Sequence, residues 1–339
     1  MPDYLKMPPE RDFGFYQRRK HDKWRAVAAP EPRLEAFVAD SHAHVHMLPD
    51  PAWELARCAA NGIDFVCMIV DPSEDGARPF ECLQGWMTEA ENPWLASPLE
   101  AQGLAQAAAD GAPTLWVGGE ERGFACPTVR IATGVHPHNA KLYDDAMEAQ
   151  LLERLADPRV AALGEIGLDF HYDLSPRDVQ RRVFRRQIAI AQERDLPIAL
   201  HLRGGEDPER DDAHAEAFAI LKDADALGPR TLLHCCALPP DELRPWIDAG
   251  CYIAYGGAIT FKNAEAAREG ARLVPADRLL LETDTPYMTP EPMRGAACTP
   301  AHVVFTAAAL AEVRGIAPGA ARESFLRQVH ANTLAFYAN

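Results

Sequence analysis

Residues 34–46 read LEAFVADSHAHVH, an apolar run that ends in three histidines at alternate positions, His42, His44 and His46. Successive side chains of an extended strand point to opposite faces, so residues two apart share a side, whereas a helix would spread the same three around its axis. The spacing predicts a strand with imidazoles converging at its end. Convergent imidazoles can hold a metal ion; hydrogen-bonded or solvated histidines at a strand end explain the stretch equally well. The rest of the chain has to choose between them.

The same unit recurs. Short apolar runs rich in Val, Ile and Leu stand at LEAFVAD (34–40), GIDFVCMIV (62–70), TVRIATGV (128–135), VAALGEIGL (160–168), LPIALHL (196–202), RTLLHC (230–235), GCYIAYG (250–256) and DRLLLETD (277–284). Helical signals lie between them. SPRD at 175–178 offers a serine cap, a proline at the first helical position and an acid, followed by Val179, Val183, Phe184, Ile188 and Ala191 on one face. PPDELRPWIDAG (239–250) opens on prolines and acids and stops at Gly250, and SPLEAQGLAQAAADG (97–111) carries Ser97 and Glu100 as a capping box. Apolar strands alternating with helices imply a parallel sheet covered on its outside. Eight of them favour an α/β fold of the (β/α)8 TIM-barrel kind, with an open doubly wound sheet as the alternative. The expected organisation is an N-terminal extension over 1–33 and a barrel over 34–339. The connection 71–128 between the second and third strands is enlarged and reads as a lid or an insertion with its own packing.

Bulk properties narrow the function. The chain has 339 residues, 47% hydrophobic and 25% charged, with a net charge of -16. Such a field repels polyanions and argues against non-specific binding of duplex nucleic acid, so a phosphate-bearing substrate needs local positive charge. The basic run Arg18, Arg19, Lys20 and Lys23 is read as a solvated or self-docking arm, with a nucleic-acid contact as the alternative. Eight scattered cysteines without a CxxC pattern read as reduced thiols, and neither a signal-peptide pattern nor a membrane-length apolar segment is present, so a cytoplasmic protein with no membrane contact is expected. Nothing calls for an obligate protein partner.

In barrels of this kind the chemistry sits at the C-terminal ends of the strands. The first run ends in His42 and His44, the fourth in Glu165, the fifth in His201, the sixth in His234 and the eighth in Asp284. Any one of these alone is more simply a hydrogen-bonded turn residue. Donors at five strand ends together point to a metal mouth, and four imidazoles with two carboxylates exceed what one tetrahedral ion needs. A pair of ions bridged by one carboxylate uses them all, and two ions can clamp the attacking and leaving oxygens of a phosphoester.

DSHAHVH, GVHPHNA (134–140), the stretch from ALGEIGLDFHYD to PIALHLR (162–203), LLHC and LLETDTPYMTPEPMRG (280–295) together resemble the TatD-type metal-dependent deoxyribonucleases of the amidohydrolase superfamily. The resemblance implies one or two divalent ions (Zn, Mn, Mg, Fe or Ni), with His42, His44 and Asp284 on one, His201 and His234 on the other, and Glu165 between them. It also implies that Asp284 and Glu165 are catalytic, Asp284 taking the proton of the attacking water. Glu282, two residues before Asp284, either orients the site or is a structural acid. Substrate contacts fall to His136, His138, Asp169, His171, Arg203, Tyr287 and Arg294; the two arginines match phosphate oxygens, unless rim carboxylates pair them instead. This chain departs from the family pattern at His46, where an acid is usual, at Gly204 after Arg203, and at AACTP (296–300). These lie on the substrate side. The leading expectation is a hydrolase of phosphodiester bonds at single-stranded DNA ends. A binuclear hydrolase of a small phosphoester, lactone or amide, or a binding protein that uses the barrel without catalysis, are the alternatives.

Overall fold

Near-continuous apolar strands can satisfy their backbone groups and bury both faces only by pairing side by side beneath a layer of helices. The computed structural model shows that arrangement and describes residues 16–21, 23–27, 34–88, 90–92, 95, 126–207 and 211–338. The described residues begin with an antiparallel hairpin of β1 (Tyr16–Lys20) and β2 (Lys23–Val27), whose Val27 packs against the main core. Eight strands follow: β3 (Val38–Ala43), β4 (Ile63–Val70), β5 (Thr128–Thr133), β6 (Val160–Asp169), β7 (Ile198–Arg203), β8 (Thr231–Leu233), β9 (Tyr252–Tyr255) and β10 (Leu279–Leu281). All pair in parallel with their neighbours in chain order. The sheet closes at the mouth, where Ala43 bridges Thr285, Asp284 N–H donates to the His42 carbonyl at 2.9 Å, and His44 N–H donates to the Thr285 carbonyl at 2.8 Å. The expected (β/α)8 barrel is the fold.

Helices cover the outside: α1 (Pro51–Ala60), α2 (Arg78–Met87), α3 (Asp145–Arg154), α4 (Arg177–Glu193), α5 (Ala213–Asp223), α6 (Pro240–Asp248), α7 (Glu265–Leu273), α8 (Val303–Val313) and α9 (Ala320–Phe336). The helix expected after SPRD forms as α4 but begins at Arg177 on Pro176, without a side-chain cap. The Ser175 hydroxyl instead donates to the His138 carbonyl and accepts from Lys141 N–H, tying two mouth loops together. The buried face of α4 also carries two glutamines that the apolar periodicity did not flag. Gln180 brackets the end of β6 by accepting from Asp169 N–H and donating to the Asp169 carbonyl, and Gln187 does the same for Val135 after β5. Gly250 ends α6 with φ of 82°, a conformation that glycine adopts without strain. The capped helix expected over 97–111 lies outside the described residues.

The barrel interior is narrow and filled with small residues, among them Ala39, Ala132, Ala162, Ala199 and Ala254, with Phe65 stacked on Tyr337 at 5.6 Å. Tyr337, just after α9, donates its hydroxyl to the Ser41 carbonyl at 2.8 Å, and Asn332 of α9 donates to the Ala276 and Leu279 carbonyls around the start of β10, so the last helix covers the end of the barrel opposite the mouth. The close fit leaves no room at Gly167, which pairs with His201 at φ of 152° and where a Cβ would lie 1.9 Å from the His201 carbonyl oxygen. Gly167→Ala is therefore expected to destabilise the fold by about 3 kcal/mol or more. Urea denaturation checks this, and an unchanged midpoint would show that β6 and β7 can move apart at no cost.

Candidate metal centre

Each strand delivers its polar residue to the mouth by the same alternation that buries its apolar neighbours. Glu165, on β6, takes the centre. Its Oε1 lies 2.9 Å from His234 Nε2 and 3.0 Å from His201 Nδ1, while its Oε2 lies 3.6 Å from both His42 Nε2 and His44 Nε2. Asp284 Oδ1 faces the second pair from the other side, 3.8 Å from His42 Nε2 and 3.7 Å from His44 Nε2. The His42 and His234 rings stack at 3.9 Å. Four rings and two carboxylates thus occupy one small volume, and His42, fully buried, has neither ring nitrogen hydrogen-bonded. Unpartnered nitrogens at that depth are costly in a metal-free site, and their donor chemistry fits a divalent ion of the Zn, Mn or Fe kind.

The electrostatics agree with a cation site. Burial alone would raise the Glu165 carboxyl, but the facing His234 charge and hydrogen bonds with His201 and His234 hold it well below the usual carboxylate range. Burial also opposes ionisation of Asp284, yet His44 and His234 keep it lowered. His42 itself is pushed down by burial and by His234, which leaves it neutral, the form that donates a lone pair. For His44, His201 and His234 burial is overridden by the facing carboxylates, and all three are raised.

Outer partners fix the ring orientations. The Asp169 carboxylate, fully buried, accepts from His171 and Tyr172 N–H through Oδ1 and places Oδ2 at 3.3 Å from His201 Nε2 and 2.7 Å from His138 Nε2. His201 thereby turns Nδ1 towards Glu165. Glu282 stands 3.6 Å from His234 Nδ1 and accepts from Cys235 N–H at 2.6 Å, a placement compatible with both of its sequence readings. His46 leaves the cluster for Asp75, at 2.9 Å.

Among the described residues four groups of three side chains bring donor atoms within 4.8 Å of one another: His42, His44 and Glu165; His42, His234 and Asp284; Glu165, His201 and His234; and His136, His138 and His201. The last is a poor ion site. His136 Nδ1 already accepts from His138 N–H, so the proton of its neutral ring sits on Nε2, and burial together with His201 keeps that ring neutral. The other two rings aim Nε2 at the Asp169 carboxylate.

Of the residues expected to touch substrate, His136, His138, Arg203, Tyr287 and Arg294 line a cavity of about 1320 Å³ at the mouth. Asp169 lies beneath its wall with its acceptors occupied, and His171 is exposed beside it. Among the described residues neither Arg203 nor Arg294 reaches a carboxylate, so the paired-rim alternative is not what forms. Arg203 stacks over Tyr172 at 4.7 Å and Arg294 over Phe261 at 4.0 Å. Tyr172 stands in the quoted GLDFHYD stretch, but its place in the wall depends on Asp169 capping the turn, which no sequence period encodes. All eight cysteines are unpaired, and among the described residues no helix is long and apolar enough to cross a membrane.

Comparison with known proteins converges on one group. The protein named uncharacterized metal-dependent hydrolase YabD of Bacillus subtilis is 39% identical over 186 residues, covering 55% of this chain and 70% of its own length. The 3'-5' ssDNA/RNA exonuclease TatD of Citrobacter koseri is 33% identical over 190 residues, covering 55% of this chain and 70% of that protein. The crystal structure of the Escherichia coli TatD homolog YJJV superposes with a TM-score of 0.66 at 24% identity, over 89% of this chain and 98% of that one, which shows the shared fold. The family described as TatD related DNase matches residues 39–338. With that match spanning every strand that carries a donor, the chain belongs to the TatD related DNase family and is a metal-dependent hydrolase.

Proposed function

We propose that this hydrolase cleaves phosphodiester bonds at the ends of single-stranded DNA, with two divalent ions held by His42, His44 and Asp284 on one side and His201 and His234 on the other. The observation that carries the reading is the division of Glu165, whose two oxygens each face a different pair of imidazoles. One carboxylate between two nitrogen pairs is the donor arrangement that a bridging ligand needs. When bound, the ions would polarise a phosphoryl oxygen and make water a stronger nucleophile near neutral pH.

The chain's own groups do the rest. Asp284, ionised and at the open side of the cluster, is placed to accept the proton that water loses on attack. The neutral His136 ring offers its Nε2–H to a substrate oxygen. Arg203 and Arg294, which reach no carboxylate among the described residues, are cations that help a polyanion enter a chain of net charge -16. A cavity of about 1320 Å³ exceeds the usual range for small-molecule pockets and suits a flexible strand better than a stiff duplex. The name carried by the Citrobacter koseri relative supports the same substrate class.

A labelled single-stranded oligonucleotide, assayed with Mn²⁺ or Mg²⁺ beside a small phosphoester and a lactone, tests the reading. Shortening of the strand from an end is expected; an intact strand alongside turnover of a small compound would overturn it. Glu165→Gln should abolish hydrolysis and lower bound metal, whereas Asp284→Asn should cut kcat by about a hundredfold to ten-thousandfold with less metal lost. Metal analysis of both variants separates the two roles. Asp169→Asn should weaken metal binding about 10- to 100-fold by freeing His201, a change that chelator competition measures. Because His44, His201 and His234 titrate above the ordinary imidazole value, each must shed a proton to coordinate, so metal affinity should climb with pH through neutrality and level off above it. The same competition run across pH checks the slope; a flat profile contradicts this ligand set.

A further inference from the structure

One face of the mouth carries an aromatic surface that the hydrolytic site does not use. Tyr172 is 53% exposed and lines the cavity, although large exposed aromatic rings are otherwise few in the described chain. It is not loose. Its backbone N–H donates to the buried Asp169 at 2.8 Å, and its ring meets His138 edge-on at 5.4 Å and His171 at 4.9 Å. The Arg203 guanidinium lies 4.7 Å from the ring centre. Arg203 is exposed, and among the described residues it reaches no carboxylate, which is unusual in so acidic a chain.

The position of this pair relative to the metal centre follows from strand geometry. His201 and Arg203 are two apart on β7 and share a facing, so Arg203 sits about 6 to 7 Å farther out of the barrel than His201. Tyr172 and His201 are tied to the same Asp169 carboxylate, Tyr172 through its backbone and His201 through its ring. A flat, partly charged surface is thus held one nucleoside's reach outward from the reacting centre. Aromatic faces and guanidinium planes are the two groups on which unpaired bases stack, and such stacking tolerates any base.

We propose that the Tyr172–Arg203 stack is a platform for the base of the nucleoside adjoining the bond that is cut. The inference rests on the reading that the substrate is a nucleic-acid strand, and it adds the recognition of a base to the recognition of phosphate. On this platform the enzyme selects strands that carry a terminal base over base-free phosphodiesters, without choosing among the four bases.

The test uses the metal-loaded full chain and two labelled single strands that differ only in the terminal nucleoside, one with its base and one with an abasic tetrahydrofuran residue at the end that is degraded. The expected result is a KM for the abasic strand about 5- to 100-fold above that for the normal strand. That ratio should collapse towards one in Tyr172→Ala and persist in Tyr172→Phe, which keeps the ring and guards against a folding artefact. Equal KM values for the two strands with the wild-type enzyme, or an undiminished ratio in Tyr172→Ala, would overturn the platform while leaving the nuclease reading intact. Failure to cut either strand, with a small phosphoester still turned over, would remove the nuclease reading and the platform with it.

Discussion

The seam between β3 and β10 is the constraint on which the molecule depends. β10 contributes only three residues of regular strand, and the barrel is shut at the mouth by the pair of backbone bonds that join His42 to Asp284 and His44 to Thr285. The buried Asp40 carboxylate reinforces the join by accepting from the Thr283 N–H at 2.9 Å and the Thr283 hydroxyl at 2.5 Å, and from the His42 N–H at 3.2 Å. Closing the cylinder and bringing both histidines against Asp284 are therefore one event. An open sheet of the same strands would leave β3 and β10 at opposite edges and divide the donor set.

The cost of this arrangement is a concentration of charge where water is scarce. Glu165 is buried, and a lone carboxylate there would be strongly disfavoured. Four imidazoles offset that penalty; Asp169 holds one of them, His201, and Glu282 faces another, His234, while both acids also accept backbone N–H groups. Each layer holds the next. Small residues in the barrel interior and Tyr337 at its far end leave the strands no slack, so the polar residues at the strand ends are aimed by a rigid base.

Legibility in the sequence varied with how local the governing interaction is. The strands, the order of the barrel and the six donors could be read from apolar runs and the residues that end them. The start of α4 could not, because Ser175 is drawn away from its helix by the His138 carbonyl, a partner 37 positions distant. Gln180 and Gln187 were invisible to apolar periodicity for a related reason: their value is in bracketing strand ends, which only packing brings within reach. The expected grouping of Asp169 and His171 with the substrate contacts illustrates the same limit. Asp169 is the last residue of β6 and His171 follows two positions on, but the turn places one under the wall and the other outside it.

By itself the sequence determined the fold class and the kind of chemistry, since strand period and residue type are properties of neighbours along the chain. It also supplied His42, His44, Glu165, His201, His234 and Asp284, the side chains that meet at the mouth. Only the tertiary structure decided how they divide around Glu165, that His46 turns to Asp75, and that Arg203 and Arg294 lie on aromatic rings and not on carboxylates. Those choices depend on contacts between side chains about 30 to 120 positions apart along the chain, and such contacts exist only once the cylinder is closed.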